Sequence, residues 1–172
     1  MDNIYLIGMM GSGKSTIGLE LSKKLNMNFT DMDNDIESIH QMKISEIFDC
    51  FGEEKFREME SAYFIEKSKE ENQVFSTGGG IILKQKNQKI LINNGTTFLL
   101  EVNCKILVER IEKSKNRPLI SKGNPNKIIA RLWRERKQYY YESCNYVIKT
   151  DNLNIEQIIE KIISTLNSDE IN

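Results

Sequence analysis

The stretch IYLIGMMGSGKST, residues 4–16, joins a short apolar run to a glycine-rich loop that ends on a lysine and two hydroxyl residues. Within it, GMMGSGKS at 8–15 fits the pattern G-x-x-x-x-G-K-[ST]. The pattern stands between a predicted strand at 4–7 and a predicted helix at 15–26. In that position the backbone N–H groups of such a loop turn toward an anion. The stretch therefore predicts a phosphate-binding loop in an α/β fold.

The polar side chains at the end of this loop suit a nucleoside triphosphate. Lys14 can reach the outer phosphates as a point charge, Ser15 can ligate Mg²⁺, and Thr16 adds a hydroxyl near the inner phosphates. A glycine turn with an idle lysine is the alternative, and the strand, loop and helix order argues against it. We therefore expect a nucleotide held together with Mg²⁺.

The rest of the chain alternates between two kinds of hydrophobic pattern. Apolar runs predict buried strands at 4–7, 28–30, 74–75, 96–102 and 146–148. Helical periods lie between them, at Ile17, Leu21 and Leu25; Phe56, Met59 and Tyr63; Cys104, Leu107, Val108 and Ile111; and Ile155, Ile158, Ile159, Ile162, Ile163 and Leu166. Strands that alternate with helices predict a parallel α/β sheet. Without an internal repeat or linker, we expect residues 1–172 to form one domain.

Composition excludes several functional classes. The chain has 172 residues and a net charge of -1, so no overall field draws it to nucleic acid or to an anionic membrane. Its 3 cysteines are widely spaced, which predicts reduced thiols and no disulfide framework or zinc site. No apolar run approaches the roughly 20 residues that span a bilayer, and the start lacks a signal-peptide pattern. We expect a cytoplasmic monomer with no nucleic-acid or membrane partner.

A pair of carboxylates follows the second predicted strand. Asp31 and Asp33, in DMDND, stand at the carboxyl end of the sheet, where ligands bind in open α/β folds. On an extended segment, this spacing aims both side chains the same way. One could hold the water shell of the metal and the other could orient an acceptor hydroxyl. The alternative for Asp33 is an N-cap of the helix that follows.

Two further features suggest an acceptor site. STGGG at 76–80 follows a strand, and its glycines would expose backbone N–H groups to a small ligand, although a simple turn has the same composition. Arg57 lies next to Phe56, which faces the core, and a guanidinium can bind a carboxylate in a fork. The alternative for Arg57 is a surface ion pair.

A basic segment at 115–127, KNRPLISKGNPNK, contains both prolines of the chain and few apolar residues. This composition predicts a mobile loop that serves as a lid. The loop supplies Arg117, and the helix after it supplies Arg131, Arg134 and Arg136. An arginine on a closing lid can stabilise the charge on a transferred phosphoryl group.

Taken together and in order, five stretches resemble the motifs of the shikimate kinase family over nearly the whole chain. They are GMMGSGKSTIG, DMDNDIE, IFDCFGEEKFREME, STGGG and NRPLI. The resemblance implies a P-loop NTPase core like that of nucleoside monophosphate kinases, a three-layer sandwich with a five-stranded parallel sheet and a mobile lid. It also implies that ATP phosphorylates the 3-hydroxyl of shikimate, on the route to aromatic amino acids.

The resemblance also implies roles on the donor side. The residues placed on ATP are Gly11, Ser12, Gly13, Lys14, Ser15, Thr16, Arg110 and Arg117. Among them, Lys14 meets the transferring phosphate, Arg117 closes over the phosphates and Arg110 faces adenine. Ser15 binds Mg²⁺, and Asp31 lies near the water shell of the metal, with Ser76 close by.

On the acceptor side, the resemblance implies that Asp33 binds the hydroxyls and acts as the base. Arg57, Gly79 and Arg136 would hold shikimate, with the two arginines on its carboxylate. Two stretches depart from the family. The segment Arg136-Lys137-Gln138-Tyr139-Tyr140 lacks the family's proline, which makes Arg134 the alternative carboxylate ligand, and TDNLNIEQ at 150–157 differs near the expected adenine site.

Three rival functions fit the sequence less well. A guanine-nucleotide switch needs Asn-Lys-x-Asp, but Asn126-Lys127 is followed by two isoleucines. The nearest rival is another small-metabolite kinase or a nucleoside monophosphate kinase, and the acceptor phosphate of the latter would be repelled by Asp33. An ATP-binding regulator without catalysis would not require Asp31, Asp33, Arg57 and the triple glycine together.

Overall fold

The computed structural model describes residues 2–113 and 123–169. Five strands in this part of the chain form one sheet, in the order β2-β3-β1-β4-β5, and every neighbouring pair is parallel. The strands are β1 (Asn3–Ile7), β2 (Asn28–Asp31), β3 (Gln73–Ser76), β4 (Gly95–Glu101) and β5 (Tyr146–Lys149). The predicted parallel α/β sheet is confirmed, with strand ends within a residue or two of those expected.

The helices are α1 (Lys14–Leu25), α2 (Met32–His40), α3 (Ile44–Lys67), α4 (Gln85–Asn93), α5 (Cys104–Glu112), α6 (Pro125–Glu142) and α7 (Ile155–Asp169), with a 3-10 turn at Ile81–Leu83. The sequence did not predict α4, because this short helix buries only Asn87 and Leu91 and its apolar period is weak.

The predicted carboxyl end of the lid, at residue 127, falls inside α6, and residues 115–122 of the predicted lid lie outside the described residues. Residues 125–127 belong to the first turn of α6, where the Asn124 side chain accepts a hydrogen bond from the backbone N–H of Lys127. Pro125 occupies the first helical position, where a missing N–H costs nothing. Residues 114–122, including Arg117, are not among those described.

Both faces of the sheet are covered by helices, which explains why the strands are continuous apolar runs. Alternate residues of β1 enter different cores, because successive side chains of a strand point to opposite faces. Tyr5 and Ile7 pack with residues of α3, α4, α5 and α6, whereas Ile4 and Leu6 pack with α1 and α7. The result is the three-layer arrangement that the family resemblance implied.

The helices α2 and α3 share a small core of their own. Ile36, Ile47 and Phe56 are buried together there, with Phe48 and Met59 packed against them. Its buried members differ from those of the two cores that cover the sheet, and Tyr63 of α3 packs against both this cluster and one of those cores. It fixes α2 and α3 to each other beside the carboxyl edge of the sheet.

The carboxyl ends of three strands bring the predicted motifs together. Ser76 at the end of β3 pairs in register with Leu6 on one side and with Asp31 on the other. Thr77 then donates its hydroxyl to the carbonyl oxygen of Leu6 at 3.0 Å. The phosphate-binding loop, the triple glycine and the start of α2 therefore lie next to one another at one sheet edge.

Two predictions from composition can be compared with the structure. The structure has free thiols at Cys50, Cys104 and Cys144. Among residues 2–113 and 123–169, no helix combines the length and the apolar character needed to cross a membrane.

Candidate active site

Three glycines shape the predicted phosphate-binding loop. Gly8, Gly11 and Gly13 have φ angles of 142°, 81° and 93°, which side chains rarely permit. A Cβ atom at Gly8 would also lie 2.7 Å from the carbonyl oxygen of Leu100. The loop can therefore turn tightly between β1 and α1, close against the neighbouring strand β4.

Lys14 folds back over this loop. Its ammonium donates hydrogen bonds to the carbonyl oxygens of Gly8 at 2.8 Å and Met9 at 3.0 Å, and to Ser12 Oγ at 3.4 Å. The side chain is buried. A buried ammonium needs such partners, so the loop holds a fixed positive charge at the point where its backbone closes.

A cluster of oxygen ligands lies beside the loop. Ser15 Oγ at the start of α1 is 3.1 Å from Ser76 Oγ at the end of β3, and Asp31 is the register partner of Ser76. Mg²⁺ prefers such oxygen ligands and keeps several waters, so few protein groups are needed. In the part of the chain that the structure describes, no group of three His, Cys, Asp or Glu side chains could hold a metal ion. The hydroxyls of Ser15 and Ser76 and the carboxylate of Asp31 match the ligand chemistry of Mg²⁺.

A cavity of about 430 Å³ lies next to this cluster. Four predicted acceptor residues line it, namely Asp33 from α2, Arg57 from α3, Gly79 from the glycine turn and Arg136 from α6. These residues are far apart in the sequence. The structure thus brings the four predicted acceptor residues into one small-molecule cavity.

Arg57 is a buried arginine held by two carboxylates. It is 7% exposed, with Nη1 donating to Glu60 Oε2 at 2.7 Å and Nη2 donating to Glu53 Oε1 at 3.1 Å. Its guanidinium also lies 5.1 Å from the ring centre of Phe56 and 5.9 Å from that of Phe48. The alternative of a surface ion pair is therefore wrong.

The Arg57–Glu60 pair is electrostatically unusual because both partners are buried. Burial acts to lower the pKa of Arg57, but the carboxylates of Glu60 and Glu53 outweigh it and raise that pKa. Burial raises the pKa of Glu60, and the Arg57 guanidinium opposes that rise. Glu60 Oε1 accepts no hydrogen bond from any described residue. The pair is thus costly to bury and depends on its close contact.

The triple glycine makes room for this pair rather than only for a ligand. A Cβ atom at Gly80 would lie 2.2 Å from Arg57 Cζ, and one at Gly78 would lie 2.2 Å from Glu60 Oε1. At Gly79 the nearest atom would be 3.4 Å away, which is ordinary contact. The two outer glycines are therefore needed because side chains from α3 pack directly on them.

Arg136 reaches the same turn from α6. It is buried, its Nη1 donates to the carbonyl oxygen of Gly79 at 3.2 Å, and the hydroxyl of Tyr140 donates to that oxygen at 2.5 Å. Burial raises the pKa of Tyr140 to about 12, against the opposing effect of Arg136. Because α6 runs unbroken through these positions, the missing proline leaves Arg136 in the cavity wall, whereas Arg134 is exposed.

The prediction for the two aspartates was partly wrong. Asp31 ends β2 and caps α2, accepting a hydrogen bond from the N–H of Asn34 at 3.3 Å, and Asp33 already lies inside the helix. The extended segment assumed for both residues ends at Asp31, since α2 begins at Met32. The N-cap alternative thus applies to Asp31, while Asp33 lines the cavity.

Two predicted donor residues remain to be placed. Arg110 on α5 is exposed, and its Nη1 donates to the carbonyl oxygen of Gly11 at 3.2 Å, so it lies against the loop. Arg117 lies outside the described residues.

The sequence motifs contained further site residues that had been given no role. Glu53 and Glu60 flank Arg57 at spacings of four and three residues, which puts all three on one helix face. The spacing of these glutamates from Arg57 within GEEKFREME is the sequence feature that could have identified them as site residues. The need for Gly78, Gly80 and Tyr140 had no comparable signal, because it arises from contacts between distant segments.

A family comparison agrees with this geometry. The family model described as shikimate kinase matches residues 10–167. The chain belongs to the shikimate kinase family. A curated shikimate kinase of Thermodesulfovibrio yellowstonii is 40% identical over 163 residues, covering 95% of this chain and 94% of that protein. Shikimate kinases are ATP-dependent kinases, and this chain is therefore an enzyme of that kind.

Solved structures of shikimate kinases share the fold closely. A structure of the Acinetobacter baumannii enzyme in complex with shikimate has a TM-score of 0.96 and 32% identity, covering 100% of this chain and 96% of that one. The Aquifex aeolicus shikimate kinase has a TM-score of 0.85 and 33% identity, covering 98% of both chains. The predicted P-loop kinase fold is confirmed.

Substituting Gly80→Ala tests whether the glycine turn supports the Arg57–Glu60 pair. The φ of Gly80 is -109°, which alanine adopts freely, so the effect should come from the clash with the guanidinium. We expect a loss of about 2 kcal/mol in the free energy of unfolding, because Glu60 would lose its buried partner. Urea denaturation measures this loss. Gly79→Ala is the matched control, and equal stability of the two variants would contradict the prediction.

Proposed function

We propose that this chain transfers the γ-phosphoryl group of ATP to the 3-hydroxyl of shikimate. The observation that carries the proposal is the cavity beside the phosphate-binding loop, where two buried arginines and Asp33 meet. Shikimate is a small acid with three hydroxyls, so its site needs cationic groups that bind the carboxylate and a group that accepts a hydrogen bond from a hydroxyl. The solved relative from Acinetobacter baumannii is described in complex with shikimate, which supports this choice of acceptor.

On the donor side, residues 11–16 would hold the phosphates of ATP. The backbone N–H groups of the loop and the start of α1 favour an anion there. Lys14 would exchange its carbonyl partners for phosphate oxygens of the transferring group. Arg110, which contacts the loop, would face the nucleotide, and Arg117 would close over the phosphates.

Ser15 and Asp31 would hold Mg²⁺, directly or through its waters, with Ser76 beside them. The chemistry that such an ion would supply is neutralisation of the negative charge on the phosphates during transfer. The chain's own part is to supply oxygen ligands at the edge of the sheet. Asp31 is suited to this position because its role as helix cap keeps it at the junction of β2 and α2.

On the acceptor side, Arg57 and Arg136 would bind the carboxylate of shikimate. Both guanidiniums are buried and come from different helices, so together they fix an anion from two directions. Gly79 would contact the ring substituents closely, because it has no side chain and lies between the loop and the cavity. Such fixed contacts hold the acceptor hydroxyl near the donor phosphate.

Asp33 would orient the 3-hydroxyl and take its proton. It lies in the first turn of α2, where the helix dipole favours a carboxylate. As the hydroxyl oxygen bonds to the γ-phosphorus, the bond from that phosphorus to the bridging oxygen breaks and ADP leaves with the electron pair. The hydroxyl proton passes to Asp33. Carboxylates of Asp33 and Glu60 on this cavity would repel an acceptor phosphate, which disfavours a nucleoside monophosphate as substrate.

The direct test is ATP consumption by the purified protein with shikimate, gluconate, nucleoside monophosphates or no acceptor. We expect turnover with shikimate and only background consumption in the other reactions. Identification of the product as shikimate 3-phosphate completes the test. Absence of shikimate-dependent turnover would refute the proposed function.

Asp33→Asn should lower kcat by about 10²–10⁴-fold, because the amide cannot accept the proton. Nucleotide affinity should stay near that of the wild type, since Asp33 lies on the acceptor side. Steady-state kinetics and nucleotide binding by calorimetry measure the two effects. Asp49→Asn, an exposed aspartate on α3, is the control. Near-normal turnover of Asp33→Asn would show that Asp33 is not the base.

Arg136→Lys should raise the KM for shikimate by about tenfold or more, because lysine lacks the planar fork that binds a carboxylate. The KM for ATP should change much less. Arg134→Lys is the matched control, since Arg134 is exposed two residues earlier on the same helix. A change confined to the KM for ATP would contradict the placement of Arg136 on the carboxylate.

A further inference from the structure

Glu53 contacts both arginines of the cavity with one carboxylate oxygen. Its Oε1 is 3.1 Å from Arg57 Nη2, 3.4 Å from Arg57 Nε and 3.9 Å from Arg136 Nη2. The side chain of Glu53 is 45% exposed, whereas those of Arg57 and Arg136 are 8% and 6% exposed. A partly exposed carboxylate therefore meets two buried guanidiniums at the same point.

The hydrogen-bond donors of Arg57 are divided between its two carboxylates. Nη1 is used by Glu60, whereas Nε and Nη2 both face Glu53. The Nε and Nη2 edge of a guanidinium is one that can bind a carboxylate through two parallel hydrogen bonds. Arg136 likewise donates a hydrogen bond from Nη1 to the carbonyl oxygen of Gly79, and its Nη2 faces Glu53. A second carboxylate could bind both arginines here only if Glu53 moved away.

The charges around the cavity also point to an exchange. Arg57 and Arg136 are surrounded by Glu53, Glu60 and Asp33. If the carboxylate of a substrate replaced that of Glu53, each arginine would keep an anionic partner and the charge balance of the site would not change. Leaving the arginines without either carboxylate would be costly, since both are buried.

The backbone around Glu53 would also favour a carboxylate that turned away from the arginines. Gly52 interrupts α3 with a φ of 80° and a ψ of 167°, so Glu53 is the first residue of the helical part that follows. Backbone N–H groups at such a start stabilise a carboxylate. A Glu53 side chain turned away from the arginines would therefore remain near a favourable positive potential, in contact with solvent.

We propose that Glu53 is a built-in competitor for the substrate carboxylate: it occupies the Arg57–Arg136 pair when the cavity is empty, and shikimate displaces it. The inference rests on the proposed function, because it assumes that these arginines bind the carboxylate of shikimate. Glu53 then determines specificity as well as affinity. A ligand with hydroxyls alone cannot replace the lost charge, whereas an acid of the right shape can.

A competitor and a positioning residue have opposite effects when the carboxylate is removed. If Glu53 competes, its ion pairs with the arginines stabilise only the enzyme without shikimate. Glu53→Gln removes those ion pairs, so the binding of shikimate becomes more favourable. If Glu53 instead holds the arginines in place for the substrate, the same change weakens binding. The dissociation constant of shikimate therefore separates the two roles.

The test compares the Kd of shikimate for the wild type, Glu53→Gln, Glu53→Asp and Glu54→Gln, measured by calorimetry without nucleotide. Glu53→Gln should lower the Kd by about two- to fivefold, the scale of a partly exposed ion pair. Glu53→Asp should also lower it, because aspartate keeps the charge but does not reach both arginines. Glu54→Gln removes the same charge from the next, exposed residue and should leave the Kd unchanged.

Three results would overturn the inference. A higher Kd of shikimate in Glu53→Gln would show that Glu53 is a positioning residue. An equal decrease of the Kd in Glu54→Gln would show that the decrease in Glu53→Gln comes from the overall charge of the protein. A wild-type Kd in Glu53→Asp would contradict the inference that occupation of both arginines causes the competition, because aspartate is too short to contact the two. Turnover in the same preparations separates the two proposals. Wild-type turnover with an unchanged Kd in Glu53→Gln refutes the inference alone, whereas absence of both turnover and shikimate binding refutes both.

Discussion

The buried pair of Arg57 and Glu60 is the constraint on which the proposed acceptor site depends. Two opposite charges removed from water stabilise a fold only when their contact is close and their surroundings are shaped around them. Here the shaping comes from two glycines whose missing side chains leave room for the pair, and from aromatic rings of α3 that flank the guanidinium. The glycine turn that lines the cavity is therefore shaped by the space that the Arg57–Glu60 ion pair occupies.

Much of the fold could be predicted from the sequence because its causes are local. Strands covered on both faces are continuous apolar runs, and the loop after β1 depends on glycine spacing within eight residues. The grouping of Asp33, Arg57, Gly79 and Arg136 was implied by the resemblance to the shikimate kinase family, because sheet-edge geometry by itself places only the segments that follow strands. The strand and loop predictions, in contrast, needed only patterns that a single segment carries.

The remaining features depend on where distant segments meet, and no local pattern encodes that. A glutamate such as Glu60 is typical of a surface, so its burial follows only from the arrival of Arg57 and the glycine turn. The assignment of the helix cap to Asp31 depended on the residue at which β2 ends, which the apolar pattern fixes only to within a residue or two. The weak period of α4 gave too little apolar signal to distinguish a helix from a loop.

The separate core shared by α2 and α3 has a consequence for how such enzymes diversify. Two of the proposed acceptor residues, Asp33 and Arg57, are carried by helices that share a packing cluster of their own, while the phosphate-binding loop packs against the sheet core. Substitutions inside that cluster need not alter the residues that hold the loop. Natural selection can therefore remodel acceptor recognition in small steps while the nucleotide-binding half is inherited intact.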